Sequence, residues 1–330
     1  MLDKKKSIIG VACGGYSSEK DISLKSGFKV FSELNKSGWK VFLLIINYDE
    51  WYIKSSDVAK IKFSKNEFSF YYNKKKYKFH VIFNAVHGPP GEDGGLAILL
   101  DSKNIPHTSC NFSAANLTYS KKDCLNEAKK FNVATAKSIF MNSKDRINIS
   151  EIINRVGLPC FVKANKAGSS FGVYRVSDKK MLKPSIKNAF KEDSQIIIES
   201  ELKGREVSVG VYRDIEGIKC LPVTEIISEN EFFDYEAKYL GKASEITPAQ
   251  IPDEWSDSVV KISIYLYKKF NLKGICRSEY IFVDNIPHLL EINSVPGLTE
   301  QSIVPRQCKA AGIGLDIFFE KLLFEAVNKN

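Results

Sequence analysis

The stretches Arg-Ser-Glu (277–279) and Glu-Ile-Asn-Ser-Val-Pro-Gly (291–297) decide the fold of this chain. They belong to two apolar runs that predict strands over Gly274–Val283 and His288–Ile292. The residues between them, Asp-Asn-Ile-Pro (284–287), are typical of a turn. The pattern therefore predicts a hairpin whose otherwise apolar strands carry charged side chains.

The polar residues of this hairpin fall at alternate positions. Side chains two apart on a strand share a face, so Arg277 points the same way as Glu279, and Glu291 the same way as Asn293. If the two faces coincide, carboxylates, an amide oxygen and a guanidinium converge. Mg²⁺ takes hard oxygen ligands, commonly carboxylates together with substrate phosphates, and an arginine stabilises developing negative charge. The pattern indicates a nucleotide-phosphate site without a Walker loop. A solvated hairpin face is the alternative, but it leaves the polar groups in register unexplained.

The bulk composition is that of an ordinary globular protein. The 330 residues, 44% hydrophobic and 26% charged, predict two or three domains. The 7 cysteines are scattered without a C-x-x-C pair, which favours neither a disulfide framework nor a zinc site. No apolar run approaches the ~18–20 residues of a membrane span, and the N-terminus does not resemble a signal peptide. We expect a cytoplasmic protein without a membrane partner.

The net charge of +9 suggests nucleic-acid binding at first sight. The lysines are spread along the chain, however, and the densest run, Lys-Lys-Lys-Tyr-Lys (74–78), falls at an apparent hairpin turn. No helix-turn-helix, zinc-finger or RNP pattern is present, so no nucleic-acid partner is expected. A non-catalytic nucleotide- or polyanion-binding protein is the rival of a different class. This alternative does not explain why Glu279, Glu291 and Asn293 occur together on the predicted hairpin.

Strand and helix patterns alternate in the first part of the chain, which predicts an α/β fold. The runs Ser7–Cys13, Val41–Ile46 and Val81–Val86 are typical of strands in a parallel sheet that is buried on both faces. A hairpin is predicted from Phe68–Tyr72 and Tyr77–Phe83. Helical stretches are expected through Ala128, in a part of the chain that continues to Val156 before the next predicted strand. We divide the chain into an N-terminal α/β substrate-binding domain (1–102), a central domain with a Gly-Ser loop (103–200) and a C-terminal domain (201–330).

A small-residue loop in the middle of the chain, Gly-Ser-Ser-Phe-Gly (168–172), lies between two predicted strands. Rossmann and Walker loops are followed by a helix, so neither applies here, but backbone N–H groups of such a loop can still bind phosphates. Lys163 lies on the strand before it, and Glu199 ends a further strand, where ligand clefts are common. A mobile turn and an exposed strand-end glutamate are the alternatives.

Two more polar positions end strands near the N-terminus. Glu19 lies where the first strand meets the first helix, and a carboxylate is favourable at a helix N-terminus. Simple helix capping remains an alternative for it. His87 ends the third strand, and it is either a ligand contact or a hydrogen-bonded core residue. The stretch 230–250 lacks periodicity and is a candidate lid.

Six segments taken together resemble the D-alanine–D-alanine ligases, which are members of the ATP-grasp superfamily. The match runs in order over nearly the whole chain, which makes it highly specific. The segments are Gly-Gly-Tyr-Ser-Ser-Glu (14–19), His-Gly with Gly-Glu-Asp-Gly (87–94), Gly-Leu-Pro-Cys-Phe-Val-Lys (157–163), Gly-Ser-Ser-Phe-Gly (168–172), Asp-Tyr-Glu-Ala-Lys-Tyr (234–239) and Glu-Ile-Asn-Ser-Val-Pro-Gly-Leu-Thr (291–299).

The resemblance implies a three-domain ATP-grasp fold with an N-terminal parallel-sheet domain. It implies an ADP-forming ligase that joins two D-alanines through an acyl phosphate, for peptidoglycan precursor synthesis. The implied cofactors are ATP and two Mg²⁺ ions, for which Mn²⁺ can substitute, and the implied assembly is a homodimer. Another ATP-grasp ligase, acting on a different acid and amine, is the nearest rival, and residues 14–19, 87 and 299–303 would discriminate the two.

The same resemblance implies roles for individual residues. ATP would be bound by Lys121, Lys163, Lys238, Ser169 and Ser170 at the phosphates, and by Glu199, Leu202 and Glu206 around the adenine and ribose. The metal ions would be bound by Glu279, Glu291 and Asn293. The first D-alanine would be bound by Glu19, Ser169, Tyr239 and His87. The tetrahedral oxyanion would be stabilised by Arg277 and the Gly297 N–H, and the second carboxylate would be received by Ser302 and Ile303.

Two of these positions qualify the resemblance. Family members commonly carry Asp where this chain has Glu279, which leaves the metal geometry open. Tyr239 matches the residue that accompanies an amine nucleophile in the family, whereas Phe there accompanies ligases that use D-lactate. The resemblance therefore implies a dipeptide product.

Overall fold

The computed structural model describes residues 2–168, 172–228 and 243–328. Its strands are β1 Ile8–Gly14, β2 Lys40–Ile46, β3 Trp51–Lys54, β4 Ile61–Ser64, β5 Ser69–Tyr72, β6 Lys75–Lys78, β7 Val81–Asn84, β8 Ser138–Asn142, β9 Cys160–Ala164, β10 Val173–Val176, β11 Gln195–Ser200, β12 Arg205–Asp214, β13 Gly217–Cys220, β14 Thr224–Ser228, β15 Ala243–Ile246, β16 Ile275–Val283 and β17 Ile286–Asn293. Its helices are α1 Lys20–Lys36, α2 Gly95–Ser102, α3 Phe112–Tyr119, α4 Lys121–Lys130, α5 Ile149–Val156, α6 Lys179–Ala189, α7 Asp253–Lys269, α8 Ile303–Ala310 and α9 Leu315–Val327.

The N-terminal sheet has the strand order β6-β5-β4-β3-β2-β1-β7. Its centre is parallel, because β1 pairs in parallel with both β2 and β7. Alternate residues of β1 enter different cores: Ile9 and Val11 pack with α1 and α9, whereas Ile8 and Ala12 pack with β2 and α2 on the opposite face. The predicted parallel sheet, buried on both faces, is therefore confirmed.

Two local features in the first half of the chain differ from the predictions. The predicted hairpin is present as β5 and β6, but the bounds of its second strand were wrong. The run Tyr77–Phe83 is divided, because β6 pairs with β5 at the edge whereas β7 pairs with β1 in the centre. The helical stretches expected through Ala128 are present as α3 and α4, whereas the strand β8 was not predicted. It pairs only with β11 at the edge of its sheet and is largely half-exposed, so it lacks the apolar run that predicts a buried strand.

In the other two sheets, neighbouring strands pair antiparallel. The second has the order β10-β9-β11-β8, and the third has the order β15-β14-β12-β16-β17 with β13 paired to β12. The predicted hairpin is present as β16 and β17, but its turn is shorter than expected. Only Asp284 and Asn285 form it, with φ of 49° and 63°, so that β17 already begins at Ile286. Asp and Asn tolerate this left-handed conformation, which suits a two-residue hairpin turn.

Among the described residues, no helix is both long enough and apolar enough to cross a membrane.

Gly274 directly precedes β16 and packs against the backbone of Thr108. It has a φ of +65°, and a Cβ built on it would lie 1.9 Å from the backbone oxygen of Thr108. The close approach lets the segment between α2 and α3 pack against the start of the strand that carries Arg277. The position therefore requires glycine for its backbone angle and also for space.

We expect Gly274→Ala to lower the free energy of unfolding by more than about 3 kcal/mol, because strain and collision add. Gly312→Ala is the matched control: it also has a positive φ, +69°, but nothing lies within 4 Å of its Cβ position. The control should cost about 1–2 kcal/mol from backbone strain alone. Chemical denaturation measures both, and equal losses would contradict the packing role of Gly274.

Candidate active site

One face of the third sheet carries the polar residues of the hairpin. The pairing of β16 with β17 sets Arg277 opposite Asn293 and Glu279 opposite Glu291. Directly opposed residues of antiparallel strands point to the same side of the sheet. The predicted convergence of these four side chains on one face is therefore present, and we call this the catalytic face.

The opposite face of the same strands is apolar. Val207, Val209, Tyr280 and Ile292 pack there into a core shared with α3, α4 and α7. A register shift of one residue would exchange the two faces and bury the charged side chains. The hydrophobic core on one side thus holds the polar groups in place on the other.

Arg277 and Glu279 form an ion pair on the catalytic face. Arg277 Nη2 lies 2.5 Å from Glu279 Oε1. The Glu279 side chain is almost fully buried, so its charge needs a close partner. The guanidinium is thus held beside the carboxylate that the sequence analysis assigned to a metal ion.

Two lysines approach from the central part of the chain. Lys121, the first residue of α4, lies 3.1 Å from Glu291 Oε2 and donates to the Ala167 backbone oxygen at 2.6 Å. Burial disfavours its charge, but the carboxylates of Glu291, Glu19 and Glu199 together outweigh burial and raise the pKa of Lys121. Lys163 lies 2.9 Å from Glu199 Oε2. Two of the three lysines predicted for the ATP phosphates, Lys121 and Lys163, are therefore each held by a carboxylate partner.

The predicted adenine and ribose residues lie at the junction of the second and third sheets. Glu199 is near the end of β11, Leu202 follows that strand, and Glu206 is the second residue of β12. Glu199 is buried, whereas Leu202 and Glu206 are half-buried. Glu199 is thus not the exposed strand-end glutamate that was the alternative.

Glu19 lies against the start of the Gly-Ser loop. A Cβ on Gly168 would lie 2.5 Å from Glu19 Oε2, so the glycine leaves room for the carboxylate. Glu19 is buried and directly precedes α1, yet its side chain makes no capping hydrogen bond. The capping alternative is therefore not what the structure contains.

His87 is a buried, hydrogen-bonded residue. Its Nδ1 lies 2.8 Å from the Val295 backbone oxygen, and its Nε2 lies 3.1 Å from Ser26 Oγ. A carbonyl oxygen only accepts, so Nδ1 carries the proton and Nε2 accepts from the serine. Burial lowers the pKa of His87, which keeps the ring neutral. His87 thus joins the end of β7 to the turn after β17.

The turn after β17 holds the predicted residues for the oxyanion and the second carboxylate. A Cβ on Gly297 would lie 2.8 Å from Ser302 Oγ, so this glycine keeps the approach to Ser302 open. Ser302 Oγ lies 2.8 Å from Thr299 Oγ1, and Ile303 is the first residue of α8. Free backbone N–H groups of a helix start favour a carboxylate.

Four predicted residues, Ser169, Ser170, Lys238 and Tyr239, lie outside the described residues.

The oxygen donors of the catalytic face fit a hard cation. Glu279, Glu291 and Asn293 supply carboxylate and amide oxygens only, without a thiolate or imidazole. The described residues contain no group of three or more His, Cys, Asp or Glu side chains that could bind a metal. This set therefore suits an ion that takes further oxygen ligands from phosphates.

Glu92 is a buried carboxyl group to which the sequence analysis gave no role. Its Oε2 accepts from the Gly88 N–H at 2.8 Å, and Gly88 also lies next to Glu19. Burial, followed by the negative charge of Glu19, raises the pKa of Glu92 to about 8. Glu92 belongs to the segment 87–94, which carries part of the family resemblance. Its closeness to Glu19, however, arises only in the folded chain, and no local sequence pattern indicates it.

A glycine-containing loop between two strands, together with an antiparallel sheet face that carries carboxylate and amide side chains, is typical of the ATP-grasp enzymes. The D-ala D-ala ligase N-terminus model matches residues 8–110, and the D-ala D-ala ligase C-terminus model matches residues 124–324. The chain therefore belongs to the D-alanine–D-alanine ligase family.

Known proteins resemble the chain over most of its length. It is 47% identical to the D-alanine–D-alanine ligase of Flavobacterium johnsoniae, over 94% of this chain and 96% of that one. The crystal structure of the VanG D-Ala:D-Ser ligase from Enterococcus faecalis has a TM-score of 0.84 and 27% identity, covering 97% of this chain and 99% of that one. That of the Bacillus anthracis D-alanine–D-alanine ligase complexed with ATP has a TM-score of 0.78 and 27% identity, covering 97% of both chains.

We expect Glu92→Gln to change the pH dependence of stability. The folded protein holds a proton on Glu92 between its ordinary pKa of 4.5 and about 8, whereas the unfolded chain does not. Folding stability therefore falls as the pH rises through this window, and glutamine removes that loss. Urea denaturation should show the variant gaining stability over the wild type between about pH 5 and about pH 9.

The exposed Glu254 on α7 provides the control, since Glu254→Gln should leave the pH dependence of stability unchanged. A constant difference between wild type and Glu92→Gln across this pH range would contradict the shifted pKa.

Proposed function

We propose that this chain uses ATP to join two D-alanine molecules into D-alanyl-D-alanine, with ADP and phosphate as the other products. The observation that carries the proposal is the catalytic face, where Arg277, Glu279, Glu291 and Asn293 converge across one hairpin. Lys121 pairs with Glu291 of this face, and Lys163 pairs with Glu199. The product would serve peptidoglycan precursor synthesis, and a phosphoryl donor such as ATP suits a cytoplasmic reaction.

The chemistry requires activation because a carboxylate is a poor electrophile. The first D-alanine attacks the γ-phosphate through a carboxylate oxygen, which gives an acyl phosphate and ADP. The amine of the second D-alanine then attacks the carbonyl carbon, and phosphate leaves. Both reactants of the first step are anions, so cations must offset their repulsion. Water must be kept from the acyl phosphate, which is the role proposed for the Gly-Ser loop and the segment 230–250 as lids.

Lysine side chains are proposed to hold the ATP phosphates. Lys121 and Lys163 are paired with Glu291 and Glu199 at 3.1 and 2.9 Å, so these half-buried cations are already held in position. Lys238 and the loop residues Ser169 and Ser170 are proposed to complete this site. Glu199, Leu202 and Glu206 are proposed to line the adenine and ribose pocket.

Glu279, Glu291 and Asn293 are proposed to bind two Mg²⁺ ions, for which Mn²⁺ can substitute. Bound there, the ions would offset phosphate charge. Glutamate at 279 reaches further than the aspartate usual in the family. The fit is supported by the all-oxygen donor set on one face.

The first D-alanine is proposed to lie beside Glu19 and the Gly-Ser loop. The Glu19 carboxylate, which lies against Gly168, pairs with the ammonium group. Ser169 and Tyr239 are proposed to hydrogen-bond around it. Both ring nitrogens of His87 have protein partners, so we assign His87 to support of the adjacent turn rather than to a direct contact.

The second D-alanine is proposed to place its carboxylate at the start of α8, on Ser302 and the Ile303 N–H. Arg277 and the Gly297 N–H are proposed to stabilise the oxyanion that forms when its amine attacks. Tyr239 matches the family members that use an amine, which supports a dipeptide product. The homodimer, and the division at residues 102 and 200, are proposed from family resemblance and sequence pattern.

The direct test is ADP release from ATP and Mg²⁺ with and without D-alanine, with mass spectrometry of the product. We expect D-alanine-dependent ADP and D-alanyl-D-alanine, and none with L-alanine. Arg277→Met and Glu291→Gln should lower kcat/KM by at least ~100-fold, because each removes charge stabilisation from the transition state. ATP turnover that is indifferent to D-alanine, or a product that requires D-serine or D-lactate, would contradict the proposed substrate pair.

A further inference from the structure

Two polar side chains on the catalytic face have incomplete hydrogen bonding although they are fully buried. Gln307 and Ser208 are both 0% exposed. Gln307 Nε2 donates to the Ser208 backbone oxygen at 3.0 Å, which fixes the orientation of the amide because a carbonyl only accepts. Gln307 Oε1 and Ser208 Oγ have no partner among the described residues. Buried polar atoms of this kind destabilise a fold, so they call for an explanation.

The amide of Gln307 fills the space that a side chain at Gly210, next to Arg277, would otherwise take. A Cβ on Gly210 would lie 2.6 Å from Gln307 Oε1, so the amide oxygen fills that space. Gly210 lies directly opposite Arg277 in the pairing of β12 with β16. Opposed side chains of antiparallel strands come within contact distance. The amide oxygen, a hydrogen-bond acceptor, is therefore next to the arginine on the β12 side.

Ser208 lies next to Glu279, as the Gln307 amide lies next to Arg277. It lies opposite Glu279 in the same pairing, and it shares a face with Gly210 two residues further on. Its hydroxyl group is a donor beside a carboxylate. The free acceptor thus lies beside the cation of the ion pair, and the free donor lies beside the anion.

The Arg277–Glu279 pair must open in the proposed reaction. Arg277 Nη2 lies 2.5 Å from Glu279 Oε1, so the guanidinium and the carboxylate are each engaged by the other. The oxyanion needs the guanidinium, and the proposed cation site needs the carboxylate. Once separated, each would lose a partner in a buried environment. Gln307 Oε1 and Ser208 Oγ have the polarities that the separated groups require.

We propose that Gln307 and Ser208 are positioning residues that hold Arg277 and Glu279 apart in the reacting complex. Gln307 Oε1 accepts a hydrogen bond from the Arg277 guanidinium, and Ser208 Oγ donates to the Glu279 carboxylate. This inference deepens the proposed function and rests on it.

The position of Gln307 also connects the arginine to the second substrate. Gln307 follows Ile303 by four residues on α8, so the two lie on the same side of the helix. Ile303 is proposed to receive the carboxylate of the second D-alanine. The helix that holds this carboxylate thus carries the amide that orients Arg277, and Gln307 should affect amine attack more than ATP binding.

The test compares Ser208→Ala and Gln307→Met with Ser263→Ala. Ser263 is the matched control, because it is equally buried, packs on the opposite face of the same sheet and bonds the Tyr280 hydroxyl at 2.9 Å. We measure kcat, the KM for ATP, the dipeptide formed per ADP released, and the thermal unfolding midpoint.

We expect both catalytic-face variants to lower kcat about tenfold, with the KM for ATP within about twofold of the wild type. Their dipeptide yield per ADP should fall, because a poorly oriented Arg277 slows amine attack and leaves the acyl phosphate to water. Ser208→Ala should keep or raise the unfolding midpoint, since it removes an unsatisfied buried hydroxyl. Ser263→Ala should lower the midpoint and leave the dipeptide yield unchanged.

Folded variants with the kcat and dipeptide yield of the wild type would overturn this inference and leave the proposed function intact. A lower midpoint of Ser208→Ala with unchanged yield would also overturn it, because the hydroxyl would then be structural. A wild-type protein that forms no dipeptide would overturn the proposed function, and this inference with it.

Discussion

The register of β16 between β12 and β17 is the constraint on which the site depends. It places Arg277 between Gly210 and Asn293, and Glu279 between Ser208 and Glu291. This register is held by side chains that take no part in chemistry, since the alternate residues of the same strands form an apolar core. A slip of one residue would bury charge and expose that core, so hydrophobic burial specifies the geometry of a polar face.

Charge pairing is the second constraint, because the cations of the site are largely removed from solvent. Arg277, Lys121 and Lys163 each have a carboxylate within 3.1 Å. Such pairs keep charged groups in a low-dielectric cleft without substrates, and they can exchange partners when phosphates bring new charge. In the proposed reaction, Glu279 and Glu291 pass from arginine and lysine to metal ions, and Glu199 passes from Lys163 to the adenine and ribose pocket. Without substrates, the charged groups of the site thus form ion pairs, and we propose that substrate binding separates these pairs.

Local patterns predicted much of this arrangement. Alternation on two short runs and a turn signal predicted the hairpin and its shared face, and long apolar runs predicted the parallel centre of the first sheet. The edge strand β8 was missed because an edge strand needs no apolar run. Gln307, Ser208 and Glu92 were missed for another reason. Their significance comes from contacts with strands far away in the chain, such as that of Gln307 with Ser208, and no local pattern encodes such contacts.

The central claim is that the catalytic face binds metal and nucleotide together. Electron paramagnetic resonance of Mn²⁺, titrated into the protein with a non-hydrolysable ATP analogue, tests this without depending on turnover. We predict nucleotide-dependent binding of about two ions in the wild type, weakened at least tenfold in Glu291→Gln and unchanged in the exposed control Glu254→Gln. Equal Mn²⁺ binding by the wild type and Glu291→Gln would contradict the account.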